Sequence, residues 1–454
     1  MKSIKLPDTS KVAKYFIILI FIIASAIRIV FVSQKTIEEY QYDVGTVGIK
    51  DEKNYENIYK QNRTNLKEYR HLDYIMTIYN TGKLPETNKV QLYHPPLHHI
   101  ICAGWLKLLD NFSFSAMKKL ESLQLLTCLY SIIALFIVLK ICDEVDLAPF
   151  YKIIVLLFVG FNPLFIIMSG FISNDMLVSM LILLCFYLLL RWHKNPSYKN
   201  TIFIGLVFGL GCATKTSMSL MGIIIFAIVV AKWISNIIIS VKNPNYKSLY
   251  KTKTFLIQTL IFLIIATPLS LAFPIRNYQK FNQPLIYVVP PKDSLLIKET
   301  NMLKRYSPFS KEIFESEIYE SNVNVFSYAI KSNLIFSLRN SICFFTLLKF
   351  LTIILYAFSL IASLYLLFKD NNLNVKMLVI TCFVWIFSFI SFNQKFPASC
   401  TMHAKYIYCY IALLPIVSAY FMQKINNYTL SMSIYAITTL FAVFSSIGMY
   451  FIIF

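Results

Sequence analysis

The chain has 454 residues, of which 57% are hydrophobic and only 15% charged; a soluble globular protein carries about 25% charged residues. Its net charge of +20, from 43 Lys and Arg against 23 Asp and Glu, would suggest nucleic acid as a partner for a soluble protein. No basic stretch is interleaved with aromatics in that way, and cationic loops flanking membrane helices account for the excess. Nine Cys with no CxxC and no zinc-like Cys/His spacing argue against a disulfide framework or a structural zinc site.

The first element follows Lys2, Lys5, Lys11 and Lys14: a long apolar run with no small-residue cleavage site after it, read as a retained helix whose N-terminus is cytoplasmic. Apolar runs at 15–32, 118–141, 150–169, 175–191, 201–214, 217–235, 254–274, 345–367, 376–392, 405–422 and 430–452 predict about eleven spanning helices. They do not alternate like barrel strands. The fold class is therefore all-α, a polytopic transmembrane bundle, with residues 1–454 forming one integral membrane domain. The short basic loops 191–199 and 232–253 belong in the cytoplasm, which puts 33–117 and 275–344 outside. The first outer segment is polar and Tyr-rich, with helical patterns near 66–80 and 95–109. The second of these, PPLHHIICAGWLKLL, is too short to span and suits a helix lying on the outer face. Abundant Lys, Asn and Ile point to an AT-rich bacterial genome, hence a multi-pass plasma-membrane protein.

Chemistry-bearing residues cluster on the outer side. In Tyr93-His94-Pro95-Pro96-Leu97-His98-His99 the prolines can open a helix, whose positive end would favour an anion, phosphate above all; a helix start with interfacial Tyr and His reads equally well. A metal held by His94 and His98 at i,i+4 is the weaker alternative, because HExxH is absent. Asp43, after the first helix, could serve as a general base on a hydroxyl, with Asp73, Glu38 and Glu39 as competing carboxylates; a solvated loop acid is the plainer reading of each. Asn174 and Asp175 sit between two apolar runs, where they would cap a helix or line a cavity mouth. Lys215 lies at membrane depth or at a hairpin tip, and either faces a charged partner or snorkels to the interface. Arg276 and Lys405 are further outer-edge cations, which singly read as interfacial anchors.

Taken together, QYDVG, RHLDYIMTIYNTGKLP, LYHPPLHHII, GFNPLFIIMSGFISNDML, GLGCATKTS, FPIRNYQKFNQPL and SCTMHAKYI resemble bacterial relatives of the dolichyl-phosphate-mannose protein mannosyltransferases. These are GT-C-type membrane glycosyltransferases, related also to the aminoarabinose transferases. The resemblance implies a sugar donor carried on polyprenyl phosphate in the outer leaflet. It implies inverting transfer to an acceptor hydroxyl on a glycan, lipid or protein of the cell envelope. Asp43 matches the catalytic base, and His94, Lys215, Arg276 and Lys405 would hold the donor phosphate. Asp175 would contact acceptor or sugar, or orient the loop, with Asn174, Tyr93 and His98 supporting. Relatives often follow the base with Glu, where Val44 stands here, which makes Asp73 the reserve base; Lys405 stands where relatives carry Arg. No cofactor is required by this pattern, although a divalent metal stays open because relatives differ. The competing readings are a polysaccharide or lipid transporter and an inactive partner subunit.

Overall fold

The computed structural model describes residues 10–37, 70–242, 252–291, 296–308, 310–314, 323–334 and 342–454. In chain order the α-helices are α1 Ser10–Gln34, α2 His71–Thr81, α3 Leu97–Leu109, α4 Ala116–Glu121, α5 Leu123–Glu144, α6 Pro149–Phe161, α7 Pro163–Met168, α8 Asn174–Lys194 and α9 Tyr198–Cys212. They continue as α10 Ser219–Lys242, α11 Thr252–Phe281, α12 Met302–Tyr306, α13 Val325–Leu334, α14 Ile342–Lys369, α15 Leu373–Lys395, α16 Tyr408–Ile425 and α17 Tyr428–Ile453. Among the described residues, the extended backbone pairing is a single bridge between Leu296 and Ala398. Nine helices there are long and apolar enough to cross a membrane, and Leu97–Leu109, Pro149–Phe161 and Tyr198–Cys212 are shorter apolar helices. The all-α membrane bundle expected from hydropathy is therefore present.

Two boundaries differ from expectation. The run 150–169 breaks at Asn162-Pro163 into α6 and α7. The helix expected to end at residue 274 continues through Pro268 and Pro274 to Phe281, so Arg276 lies inside α11; membrane helices tolerate proline where neighbouring groups take up the released carbonyls.

The chain divides into two compact units, residues 1–34, 138–167 and 291–454 forming the first and 35–137 with 168–290 the second. In the first unit, the break after α6 explains a buried cation. Pro163 has no N–H for the Val159 carbonyl, and Leu164 N–H turns to Asn162 Oδ1 at 3.1 Å instead of the Gly160 carbonyl. Arg28 of α1, 1% exposed, supplies both carbonyls: Nη1 donates to Gly160 O at 2.8 Å and Nη2 to Val159 O at 3.3 Å. Glycine at 160 lets α1 come close enough, since a Cβ there would lie 3.0 Å from the Ala24 Cβ. Arg28→Met removes the donors and leaves two buried carbonyls unmatched, at roughly 1–3 kcal/mol each. We expect a clearly lower melting temperature in detergent, and Arg28→Lys should recover part of it.

In the second unit, α9 packs on α11 through Gly205 and Gly209, a small-xxx-small pair. A Cβ at Gly209 would sit 2.7 Å from the Leu269 Cβ. Helix α3 buries His98, His99, Cys102, Ala103, Leu106 and Leu109 on one face, the helical spacing of an amphipathic segment. That face packs on Leu72, Tyr74, Ile75, Met76 and Ile78 of α2, with Leu120 and Leu123 below. These two helices of the segment 33–117 thus share one core, and the site is built on it.

Candidate active site

Four of the chain's six histidines lie between residues 71 and 99, and packing of α2 against α3 gathers them. His71, His94, His98 and His99 are all at most 5% exposed. His71 stacks between His94 and His99, with ring centroids 5.6 and 5.2 Å away and the planes within 11° of parallel. Tyr74 closes the stack on His99 at 4.0 Å, and its hydroxyl donates to the His94 carbonyl at 3.3 Å. His71 Nδ1 and His99 Nε2 are 2.9 Å apart, a hydrogen bond that needs one proton between the two nitrogens. His99 Nδ1 is buried with no hydrogen-bond partner among the described residues.

Burial holds the His71, His98 and His99 rings neutral near pH 7. It pushes His71 and His99 well below the ordinary 6.5, aided for His71 by the neighbouring His94 and opposed by Asp175. His98 is pushed down to about 4 by burial, against the pull of Asp175. A group whose folded pKa lies below its unfolded value contributes stability that is complete above the unfolded pKa. Here that stability is lost as pH falls from 6.5, over a window reaching about 4 for His98. Melting measured from pH 7 to 5 should fall with pH, and His98→Gln should reduce the slope by about 1.4 kcal/mol per pH unit.

The ion pair is the second component. Ser173 caps α8, and its hydroxyl donates to Asp175 Oδ2 at 3.1 Å. Asp175 Oδ1 accepts from Lys215 Nζ, which leads into a 3₁₀ turn at Thr216–Met218. The side chains of Lys215 and Asp175 are only 12% and 8% exposed. Asn174 Nδ2 donates to the Thr214 carbonyl at 3.0 Å, while its Oδ1 is buried with no partner among the described residues. Leu97 N–H, in the first turn of α3, donates to the Ala213 carbonyl at 2.9 Å. The starts of α8 and α3 are thereby both fastened to one turn at 213–215. The charges of Asp175 and Lys215 both act on His71, so the pair and the imidazole stack form one cluster.

Of the residues singled out in the sequence, His94, His98, Asn174, Asp175 and Lys215 meet in this cluster. His94 is extended and precedes the helix, with Pro96 as its cap. One first-turn amide, Leu97 N–H, is already taken by Ala213. Tyr93 flanks His94, ring centroids 4.1 Å apart, and meets the edge of Tyr287. Arg276 donates to the Pro85 carbonyl at 2.8 Å and to Asn277 Oδ1 at 2.9 Å, which fastens the segment before His94 to α11; its charge also acts on Tyr74. Asp73 accepts Arg70 N–H at 2.9 Å at the start of α2. Lys405 belongs to the first unit, on a turn where its backbone N–H donates to His403 Nδ1 at 3.0 Å and its ammonium faces the Tyr406 ring at 5.5 Å. Asp43, Glu38 and Glu39 lie outside the described residues. Sequence reasoning passed over His71, His99 and Tyr74 as site members; the density of histidines in 71–99 was the signal available. Among the described residues, no group of three or more His, Cys, Asp or Glu could hold a metal ion, so no step is assigned to one.

Residues 88–282 match the family model of dolichyl-phosphate-mannose-protein mannosyltransferases, a span that includes His94, His98, Asp175, Lys215 and Arg276. No curated protein matches the chain. Among solved structures, the Archaeoglobus fulgidus oligosaccharyltransferase in its apo form matches with TM-score 0.50 at 15% identity, over 97% of this chain and 56% of that one. The same organism's oligosaccharyltransferase AglB, in complex with an inhibitory peptide and a dolichol-phosphate, matches with TM-score 0.47 at 14% identity, over 94% and 55%. ArnT from Cupriavidus metallidurans bound to undecaprenyl phosphate gives TM-score 0.42 at 11% identity, over 78% and 55%. The chain spans about half the length of these solved structures. Residues 88–282 thus match the pattern of the dolichyl-phosphate-mannose-protein mannosyltransferases, and the chain is similar in fold to the Archaeoglobus fulgidus oligosaccharyltransferase.

Proposed function

We propose that the chain is an inverting glycosyltransferase that moves a sugar from a polyprenyl-phosphate donor to an acceptor hydroxyl on the outer face of the plasma membrane. The observation that carries this reading is the buried Asp175–Lys215 pair, which lies inside the segment that matches the mannosyltransferase family and acts on the imidazole stack. Transfer from a lipid phosphate releases a phosphate dianion. A cation held in place before reaction, in surroundings that exclude water, stabilises that developing charge without reorganising.

In this mechanism Asp43, from the first outer segment 33–117, takes the proton of the acceptor hydroxyl as it attacks the anomeric carbon. The sugar–phosphate bond breaks with inversion, and the electron pair stays on the phosphate. Lys215, His94 and Arg276 hold that phosphate. His94 does so as a hydrogen-bond donor and the others as cations. Asp175 holds the Lys215 ammonium in place, and Asn174 fixes the turn that carries it. Tyr93 and His98 wall the site, and Asp73 holds the start of α2. The second outer segment, 275–344, together with the first, recognises the acceptor.

The test is transfer from a panel of radiolabelled polyprenyl-phosphate sugars to cell-envelope acceptors by purified protein. Label transferred by the parent supports an enzyme and begins to name its sugar. Folded protein that transfers from no donor in the panel would favour the transporter or inactive-subunit readings.

A further inference from the structure

Helix α8 carries different chemistry at its two ends. Asn174 and Asp175 open it; Trp192 and Lys194 lie near its close, about 25 Å from Asp175 at 1.5 Å per residue. At this far end α8, α9, α10 and α11 enclose a cavity of about 150 Å³, lined by Trp192, Thr201, Ile225, Phe226, Gln258 and Phe262 among others. Its walls are mostly apolar, and Gln258 is the amide among them. Gln258 is 2% exposed; its Oε1 accepts the Trp192 indole N–H at 2.9 Å, and its Nε2 is buried with no acceptor among the described residues. A donor without an acceptor is costly at membrane depth.

Three of these helices also bring a lysine to the same end. Lys199 precedes the lining residue Thr201 by two positions, Lys232 follows Val230 by two, and Lys253 precedes Phe255 by two. From Met176 to Lys292 the sequence contains no Asp or Glu, so these helices and their loops offer the lysines no carboxylate. Basic pockets between membrane helices on the cytoplasmic side suit anionic headgroups.

We propose that this cavity binds an anionic glycerophospholipid of the leaflet facing the basic loops, with its phosphate among Lys199, Lys232 and Lys253 and the head of one acyl chain inside. The ester carbonyl of that chain accepts from Gln258 Nε2. Gln258 lies about 7.5 Å along α11 from Lys253, comparable with the reach from phosphate to ester carbonyl across a glycerol. A polyprenyl chain has no acceptor along its hydrocarbon and would leave the amide unmatched. A cavity of this size takes up a benzene-sized group, hence the first methylenes only. The rest of the chain runs over the exposed Ile223, Phe226 and Leu260. Occupancy of this site is independent of the transfer reaction at the other end of α8.

Full-length protein with Trp192 as its sole tryptophan, in phosphatidylcholine nanodiscs, tests this through quenching by dibrominated acyl chains. Dibromo-phosphatidylglycerol should quench at a mole fraction about fivefold lower than dibromo-phosphatidylcholine, the worth of one surface lysine. Lys199→Gln, Lys232→Gln and Lys253→Gln together should erase that preference, and Gln258→Leu should weaken quenching by both lipids. Equal quenching by the two lipids in the parent overturns the proposal. So does displacement of phosphatidylglycerol by an equal or smaller amount of undecaprenyl phosphate, which would assign the cavity to a polyprenyl chain. Wild-type protein with all its tryptophans gives an independent reading: phosphatidylglycerol should raise its melting temperature in detergent, the triple Gln variant should lose that rise, and no rise in the wild type counts against the site.

Discussion

Replacing Asp43 with Asn is expected to lower sugar transfer by about 10²–10⁴-fold, while melting in detergent stays with the parent. An acceptor hydroxyl must lose its proton as it attacks, and an amide of the same shape cannot take one. Asp73 is the competing base, and its geometry makes a contrasting prediction. One of its oxygens accepts Arg70 N–H at the start of α2, a capping role that Asn fills nearly as well. Asp73→Asn should therefore change neither stability nor turnover by much. Loss of transfer in Asp73→Asn with an active Asp43→Asn would exchange the two assignments. Melting curves separate either outcome from simple misfolding.

The second large effect concerns the buried pair. Asp175→Asn leaves the Lys215 ammonium at 12% exposure without its counter-charge, and breaking such a pair costs about 3–5 kcal/mol. Lys215→Met strands the carboxylate with a similar penalty. Combining the two removes both charges, and replacement of a buried pair by uncharged groups is often close to neutral, so much of the lost stability should return. Activity should behave differently. A lysine that meets the departing phosphate leaves the double variant about 10²–10³-fold slow, however well it folds. A pair that serves only to hold the 213–215 turn would let activity return with stability. The cycle of four proteins, each measured for melting and for transfer, decides between these roles.

Membrane class, helix content and the location of charged residues were legible in the sequence, because burial in a bilayer is a local property. A run of about 20 apolar residues has few alternatives to a spanning helix, and a charge at the end of such a run is conspicuous because it is costly there. Asp175 and Lys215 were visible for that reason, as separate candidates. Their pairing was not, since they are 40 positions apart, with the lengths of α8 and α9 between them. The same holds for the break in the run 150–169, which was read as one helix: the Arg28 guanidinium that makes the break at Asn162-Pro163 tolerable arrives from a helix 131 residues earlier. The imidazole stack was hidden for a related reason. His71 and His99 each look like ordinary residues of short amphipathic helices, and only the packing of α2 on α3 brings them to 2.9 Å. Local hydropathy by itself determined which segments are helices and that they belong in a membrane. Side-chain convergence depends on contacts between segments far apart in sequence, and so only the tertiary structure decided which of the candidate residues share a site.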